Sequence, residues 1–237
     1  AHMGTGNYNE TTSKLYTDLG LLSAQEEIEQ DLIELFNYLT GFSKQQEYQK
    51  LLVAPVTLRT GIEKLILQEI ENAKAGKIAI IRAKMNSLVD PNIINLLYKA
   101  SQAGVKIKLI IRGMCCLIPG KKNLSENIKV ISIIGRFLEH SRIFWFSNNC
   151  QPKAYIGSAD WMRRNLDKRI EAVVPIEDLT ILKEIDNLLS TYIEQSYGSW
   201  EMQSDGTFIQ QNETGIEKIF VQEKLIKNWN NASHLAS

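Results

Sequence analysis

Between residues 51 and 111 the sequence changes its hydrophobic period at every connection. "LLVAP" is a short apolar strand stopped by Pro55, a helical pattern fills 57–75 up to Gly76, and "KIAIIRAKM" reads as a strand. A second helix covers 91–103 up to Gly104, and "VKIKLIIRG" is a strand again. Strand, helix, strand, helix, strand with short connections restricts the segment to an α/β arrangement of parallel strands covered by helices. Pro55 and the two glycines are its punctuation, because proline disfavours helix before it and glycine takes the left-handed turn that closes a helix.

The flanking segments extend this reading. Residues 1–15 are glycine and asparagine rich, and Tyr16 to Leu22 alternates like a strand. From Ser23, acids in the first turn and Ile28, Leu32, Leu35 and Leu39 at helical spacing predict an amphipathic helix ending at Gly41. The polar stretch "FSKQQEYQK" is a connector, which places a domain boundary near residue 50. Beyond Arg112, residues 112–127 form a long loop, followed by strands "IKVIS", "RIFWFS" and "KAYIGS", a turn or short helix "ADWMRRNLD", and a strand "KRIEAVVPI". A helix over 179–197, a turn at Asp205-Gly206, a last helix near 214–229 and a frayed tail complete the chain. The expected fold is α/β, with a mixed, largely parallel sheet flanked by helices.

Lys plus Arg number 27 and Asp plus Glu number 27, so the zero balance argues against a general binder of nucleic acid or membrane surfaces. No apolar run approaches the roughly 20 residues of a membrane-spanning helix. The three cysteines include the adjacent Cys115 and Cys116, which are poorly placed to bond each other, and this points to a reduced, cytoplasmic protein. Histidines at 2, 140 and 234 with no CxxC give no metal-ligand spacing. A nucleophilic role for Cys115 or Cys116 lacks a second histidine nearby, and small buried thiols are common.

The strand ends carry polar groups of one kind. "IIRAKMN" delivers Lys84 and Asn86, "LIIRG" delivers Arg112, and "YIGSADWMRRN" delivers Ser158, Asp160, Arg163, Arg164 and Asn165. Ligands of open α/β sheets sit beyond the carboxyl ends of the strands, so these groups converge on a crevice suited to phosphate; taken singly, each is more often a solvated charge. In "FLEHSRIFWF", period-two alternation puts His140 and Arg142 on one face and Glu139 on the other. An acid beside an anion clamp competes with the plainer reading of His140 as a satisfied core histidine. Tyr16 reads as a half-buried strand aromatic unless its company with "GTGN" makes it a ligand. "GTGN" and "GSAD" at 157–160 look like one device used twice, with glycine for close backbone approach and a hydroxyl to hydrogen bond.

The stretches "AHMGTGNYNETTSKLYTDLGLL", "KMNSLVDPNIINLLYKASQAGVKIKLIIRGMCCLIPG", "SENIKVISIIGRFLEHSRIFWF" and "IGSADWMRRNLDKRIE" together resemble the C-terminal part of bacterial polyphosphate kinases of the phosphohistidine type, which have the phospholipase D-like fold. The resemblance implies reversible transfer of the terminal phosphate of ATP to polyphosphate. It makes residues 1–50 the tail of a preceding phospholipase D-like domain and 51–237 the last such domain. "HSR" at 140–142 with "GSADWM" matches the second half of the superfamily's motif, with Arg142 where the superfamily has lysine. The first half, which carries the phosphohistidine, would precede residue 1, so the chain alone is expected to be inactive.

By the same resemblance Tyr16, Arg112 and His140 contact nucleotide, and His140 is the general acid. The family also places a histidine two residues before "GTGN", which makes His2 a second catalytic candidate, although His-Met at a chain start is also the trace of an expression scar. Magnesium is implied with its ligands upstream, ATP or ADP and polyphosphate are the implied partners rather than nucleic acid, and the full-length protein is implied to be a homo-oligomer. Two rivals stand beside this: a phospholipase D-type phosphodiesterase or nuclease, and a non-catalytic module that binds nucleotide or polyphosphate.

Overall fold

A computed structural model describes residues 1–42, 47–194, 197–211 and 219–235. In chain order it begins with β1 (His2–Gly4), β2 (Tyr16–Thr17), β3 (Gly20–Leu22) and α1 (Glu26–Leu39). The alternating segment follows as β4 (Leu52–Ala54), α2 (Leu58–Lys74), β5 (Ile80–Met85), α3 (Pro91–Gln102) and β6 (Lys106–Ile111). Then come β7 (Ile128–Ser132), β8 (Leu138–Glu139), β9 (Arg142–Phe146), β10 (Lys153–Gly157), α4 (Arg163–Asp167) and β11 (Glu171–Ile176). The chain closes with α5 (Leu179–Glu194), β12 (Trp200–Met202), β13 (Phe208–Gln210) and α6 (Val221–Leu235).

Nine strands form one sheet in the order β13-β12-β7-β6-β5-β9-β10-β11-β4. It is mixed as expected, but among the described residues only the β5–β6 and β6–β7 pairings in it are parallel. The rest are antiparallel, so the sheet is less parallel than the alternation suggested. The reason is connection length: a parallel neighbour needs a crossover of a dozen residues or more, whereas β9 turns into β10 through a short loop. Asn148, Asn149 and Cys150 all take positive φ in that loop.

Helix ends follow their local chemistry. The Asp90 carboxylate accepts from the Asn92 and Ile93 amides and Pro91 opens the first turn, which fixes the start of α3. Gly41, Gly76 and Gly104 have φ of 74°, 69° and 98°, as the sequence reading of three helix stops requires. The C-terminal reading fared less evenly. The Asp205-Gly206 turn belongs to a β12–β13 hairpin that was not foreseen, part of the helix expected at 214–229 lies outside the described residues, and α6 extends into the stretch expected to fray. Residues 195–196 of the expected 179–197 helix and 43–46 of the 42–50 connector also fall outside them.

Strand alternation sorts side chains into two cores. Phe144, Phe146, Ile81 and Ala83 pack with α2 and α3 on one face, while Ile143, Trp145, Ile156 and Val174 pack with α1 and α5 on the other. The result is helix, sheet, helix in three layers. Residues before the connector join the second layer through Ile28 and Leu35 of α1. A buried carboxylate fixes that union: Asp31 accepts from the amides of Gln49 at 2.8 Å and of Lys50 and Leu51 at 2.7 Å each.

Asp31→Ala is expected to lower the free energy of unfolding by about 2–3 kcal/mol, the cost of stranding buried amides without an acceptor. Urea denaturation is the measurement, and Asp31→Asn, which keeps one acceptor oxygen, should fall between the two. An unchanged midpoint would show that this carboxylate does not hold the entry to β4.

Candidate active site

Because β9 and β11 run against β5 and β10, the carboxyl ends of β5, β6 and β10 and the amino ends of β9 and β11 share one edge of the sheet. Asp160, just past β10, is the hub of that edge. One of its oxygens accepts from the Asn86 amide at 2.8 Å, the Ser87 amide at 3.3 Å and Arg142 Nε at 3.2 Å; the other accepts from Arg142 Nη2 at 3.3 Å. Arg142 Nη1 also donates to the His140 carbonyl at 2.6 Å. Arg142 is thus buried and neutralised, with its fork used up by protein.

Arg112 is placed differently. Its Nε donates to Asn86 Oδ1 at 3.0 Å and its Nη2 to the same oxygen, so its partner is a neutral amide. Burial, and then the nearby Arg142, push the guanidinium below its ordinary pKa, and Asp160 and Glu139 offset this only in part. Among the described residues Arg112 is in no ion pair, although it is half-buried beside a second arginine.

His140 lies on the same edge, just before β9. The strand expected over 137–146 is broken here: β8 pairs in parallel with β2, and the amides of His140 and Ser141 both donate to the Thr17 carbonyl, at 3.2 and 2.9 Å. The interruption turns the His140 ring onto Tyr16, with 4.8 Å between centroids, and brings Nδ1 to Asp18 at 2.9 and 3.1 Å. Burial raises the Asp18 carboxyl, but hydrogen bonds to His140 and from Thr5 outweigh it and leave its pKa below the ordinary range. Asp18 was missed in the sequence, yet a signal was there, since it lies two residues after Tyr16 and period two puts both on one face.

Lys84 is turned inward. Its ammonium is 1% exposed and lies 3.0 Å from Glu139 and 2.6 Å from Ser141 Oγ. Glu139 also accepts from Tyr192 Oη at 2.9 Å and Gln222 Nε2 at 2.6 Å. Burial lowers the Lys84 pKa; it would raise that of Glu139, but the ammonium and these hydrogen bonds more than reverse the effect. The strand ends therefore do not all converge. Lys84 braces the residues on both sides of His140, and Glu139 is drawn away from the imidazole by Lys84, Tyr192 and Gln222, since the strand is interrupted between the two residues.

The remaining candidates form a separate group or stand apart. Ser158 Oγ and Asn165 Nδ2 both donate to Glu171, the latter at 2.5 Å, and Asn165 Oδ1 is buried without a partner. Arg163 is exposed at the start of α4. His2, in the antiparallel β1–β3 pair, bonds Tyr8 Oη at 2.9 Å and not Asp18 or Tyr16. The two glycine motifs play unlike parts: Thr5 bonds Asp18 at 2.7 Å and Gly6 lies against that carboxylate, whereas Gly157 lacks room for a Cβ beside the Ala172 carbonyl. Cys115 donates to the Leu117 carbonyl, and burial pushes its thiol up to about 11, which leaves it protonated at neutral pH. Among the described residues no three His, Cys, Asp or Glu side chains gather to hold a metal ion, and Asp18 and Asp160 are already engaged, so these residues do not fit a resident magnesium.

Comparison with known proteins gives this edge its context. The profile described as Polyphosphate kinase C-terminal domain 2 matches residues 51–222, and that described as Polyphosphate kinase C-terminal domain 1 matches 1–45. Polyphosphate kinase of Prochlorococcus marinus (strain MIT 9313) is 63% identical over 96% of this chain and 32% of its own length. That of Pseudomonas aeruginosa is 48% identical over 91% of this chain and 31% of its own. The crystal structure of polyphosphate kinase from Porphyromonas gingivalis superposes with a TM-score of 0.94 at 37% identity, covering 100% of this chain and 36% of that one. The chain thus spans about a third of the length of the curated relatives it matches. No helix among the described residues is long and apolar enough to cross a membrane.

The buried ion pair has a pH signature. Glu139 holds its proton less tightly folded than unfolded, so its contribution is complete above the unfolded carboxylate's pKa of about 4.3 and is lost as pH falls through the folded value. Urea midpoints taken from about pH 6 down to about pH 3 should drop more steeply for the wild type than for Glu139→Gln. At neutral pH that variant should cost about 3–5 kcal/mol, because it leaves Lys84 charged and unpaired. Parallel acid limbs would refute the assignment.

Proposed function

The chain belongs to the polyphosphate kinase family, and on that premise we propose that it is the C-terminal part of an enzyme that moves the terminal phosphate of ATP reversibly onto polyphosphate. The observation that carries the reading is Arg112, a half-buried cation held by a neutral amide while its neighbour Arg142 is held by a carboxylate. A site that needs an anion keeps one cation uncommitted. In phosphoryl transfer the protein mainly positions groups and spreads charge over the phosphate oxygens, which is what an open guanidinium beside an imidazole supplies.

Each residue's part follows from its bonds. Asp18 can only accept when ionised, so the proton between it and His140 lies on Nδ1, and Nε2 is left to exchange a proton with a phosphate oxygen. Tyr16 packs on the ring and limits its rotation. Asn86 passes the order of Asp160 on to Arg112. Ser158 and Asn165 both spend their donors on the Glu171 carboxylate, which would repel a polyanion, so these contacts give them no phosphate role, and the exposed Arg163 is the remaining phosphate contact at this end of the edge. His2, bonded to Tyr8, receives no catalytic role from these contacts.

On this reading the phosphohistidine belongs to the two thirds or so of the relatives' length that this chain does not cover. Residues 1–50 are the end of a preceding phospholipase D-like domain, and 51–237 are the last one. ATP, ADP and polyphosphate as substrates, a homo-oligomeric state and a cytoplasmic location are part of the same proposal. Magnesium would arrive with the nucleotide, and no step depends on a residue of this chain holding it.

In the full-length protein Arg112→Ala should weaken ADP binding by about 10- to 100-fold, the loss of charge-assisted hydrogen bonds, as read by calorimetry. His140→Gln should leave that affinity nearly intact and lower kcat for polyphosphate synthesis by about 10²–10⁴. Unchanged ADP affinity in Arg112→Ala would sink the anion-site reading. Polyphosphate synthesis by residues 1–237 alone would sink the placement of the covalent histidine.

A further inference from the structure

Gln222 is buried, at 5% exposure, in the first turn of α6, and its amide is fully committed. Oε1 accepts from the Phe137 amide at 2.9 Å, while Nε2 donates to the Phe137 carbonyl at 2.9 Å and to Glu139 Oε1 at 2.6 Å. One side chain thus does for residue 137 what a neighbouring strand would do, since it satisfies both backbone groups. Its third bond reaches the carboxylate adjoining His140. Gly135 lies close enough to that amide that a Cβ there would collide with it.

The segment 137–141 is otherwise held from one side and from beneath. Leu15 and Thr17 carbonyls accept its amides on the β2 side, and Lys84 holds Glu139 and Ser141 from below. Tyr192 bonds Glu139 and Arg142 bonds the His140 carbonyl, and Gln222 adds the hold on both backbone groups of Phe137. Among the α6 side chains described, Val221 is the other buried one, so the helix reaches the site chiefly through this amide. The imidazole of His140 has to meet Asp18 and Tyr16 at once, and a segment freed at Phe137 would not hold it there.

We propose that Gln222 is a positioning residue for His140, setting the rate of the chemical step from a helix that does not touch substrate. This rests on the general-acid reading of His140 above. Displacing a catalytic group by about 1 Å can cost around a hundredfold in rate while leaving binding groups in place. Arg112 is fixed through Asn86 and Asp160, independently of Gln222, so affinity should survive when rate does not.

The test uses Gln222→Met, which keeps the volume and removes all three hydrogen bonds, with Gln222→Glu beside it, which keeps an acceptor for Phe137 but faces Glu139 with a second carboxylate. In the full-length protein both should lower kcat about 10- to 100-fold with KM for ATP changed less than about threefold. In the ¹⁵N-histidine spectrum of either variant the Nδ1 resonance of His140 should move, as its bond to Asp18 loosens. Wild-type kcat in Gln222→Met, or an unmoved His140 resonance, overturns the proposal. So does a fall in kcat that only tracks the folded fraction. If the wild-type protein makes no polyphosphate, the functional reading fails, while the His140 resonance still decides the role of Gln222.

Discussion

The Asp160 carboxylate is the interaction on which the cleft depends. It takes donors from the end of β5 and the start of β9 while itself lying at the end of β10. Three adjacent strands are therefore locked where their main-chain ladders run out and water would otherwise compete for the last amides. Charge-assisted bonds in a buried setting are stiff, and that stiffness is passed to the next shell. Arg112 inherits its position through Asn86 and needs no counter-ion of its own.

Three cations near the edge illustrate how burial can serve different ends. Lys84 is sealed in with Glu139 and contributes order, because a buried pair repays its desolvation only when both partners and their other hydrogen bonds are present. Arg142 is paired and reaches the His140 backbone. Arg112 alone of the three has a neutral amide rather than a carboxylate as its hydrogen-bond partner. The sequence shows three basic residues at or near strand ends; what separates their roles is whether a carboxylate from elsewhere in the chain arrives to meet each one.

That distinction marks the boundary of what was legible in the residues. The helix and strand alternation from 51 to 111 was readable because it rests on local causes: glycine stops, a proline stop and apolar period. Glu139 does point away from His140, but the strand is interrupted between them, and what turns the carboxylate is Lys84, Tyr192 and Gln222 rather than alternation. The sheet's antiparallel part was misjudged because a parallel rule drawn from the first half was carried past the point where crossover helices cease. The break at His140 was hidden because it is caused by Thr17, and the burial of Lys84 because it is caused by Glu139; neither partner is signalled by spacing. Asp18 could have been found from its register with Tyr16. The pairing of Ser158 and Asn165 with Glu171 could not, since it depends on how β10 and β11 align.

The two-residue ladder between β2 and β8 joins positions as far apart as Thr17 and Glu139, 122 residues from each other. A contact with so long a loop to close repays its entropy only after the intervening sheet exists. The imidazole's setting therefore belongs to the late stages of folding, after the helices and the parallel strands have formed from nearer contacts. During synthesis, a chain emerging from its N-terminus would display Tyr16 and Asp18 long before His140 has been made. His140 can therefore meet Tyr16 and Asp18 only once the strands between them have been made.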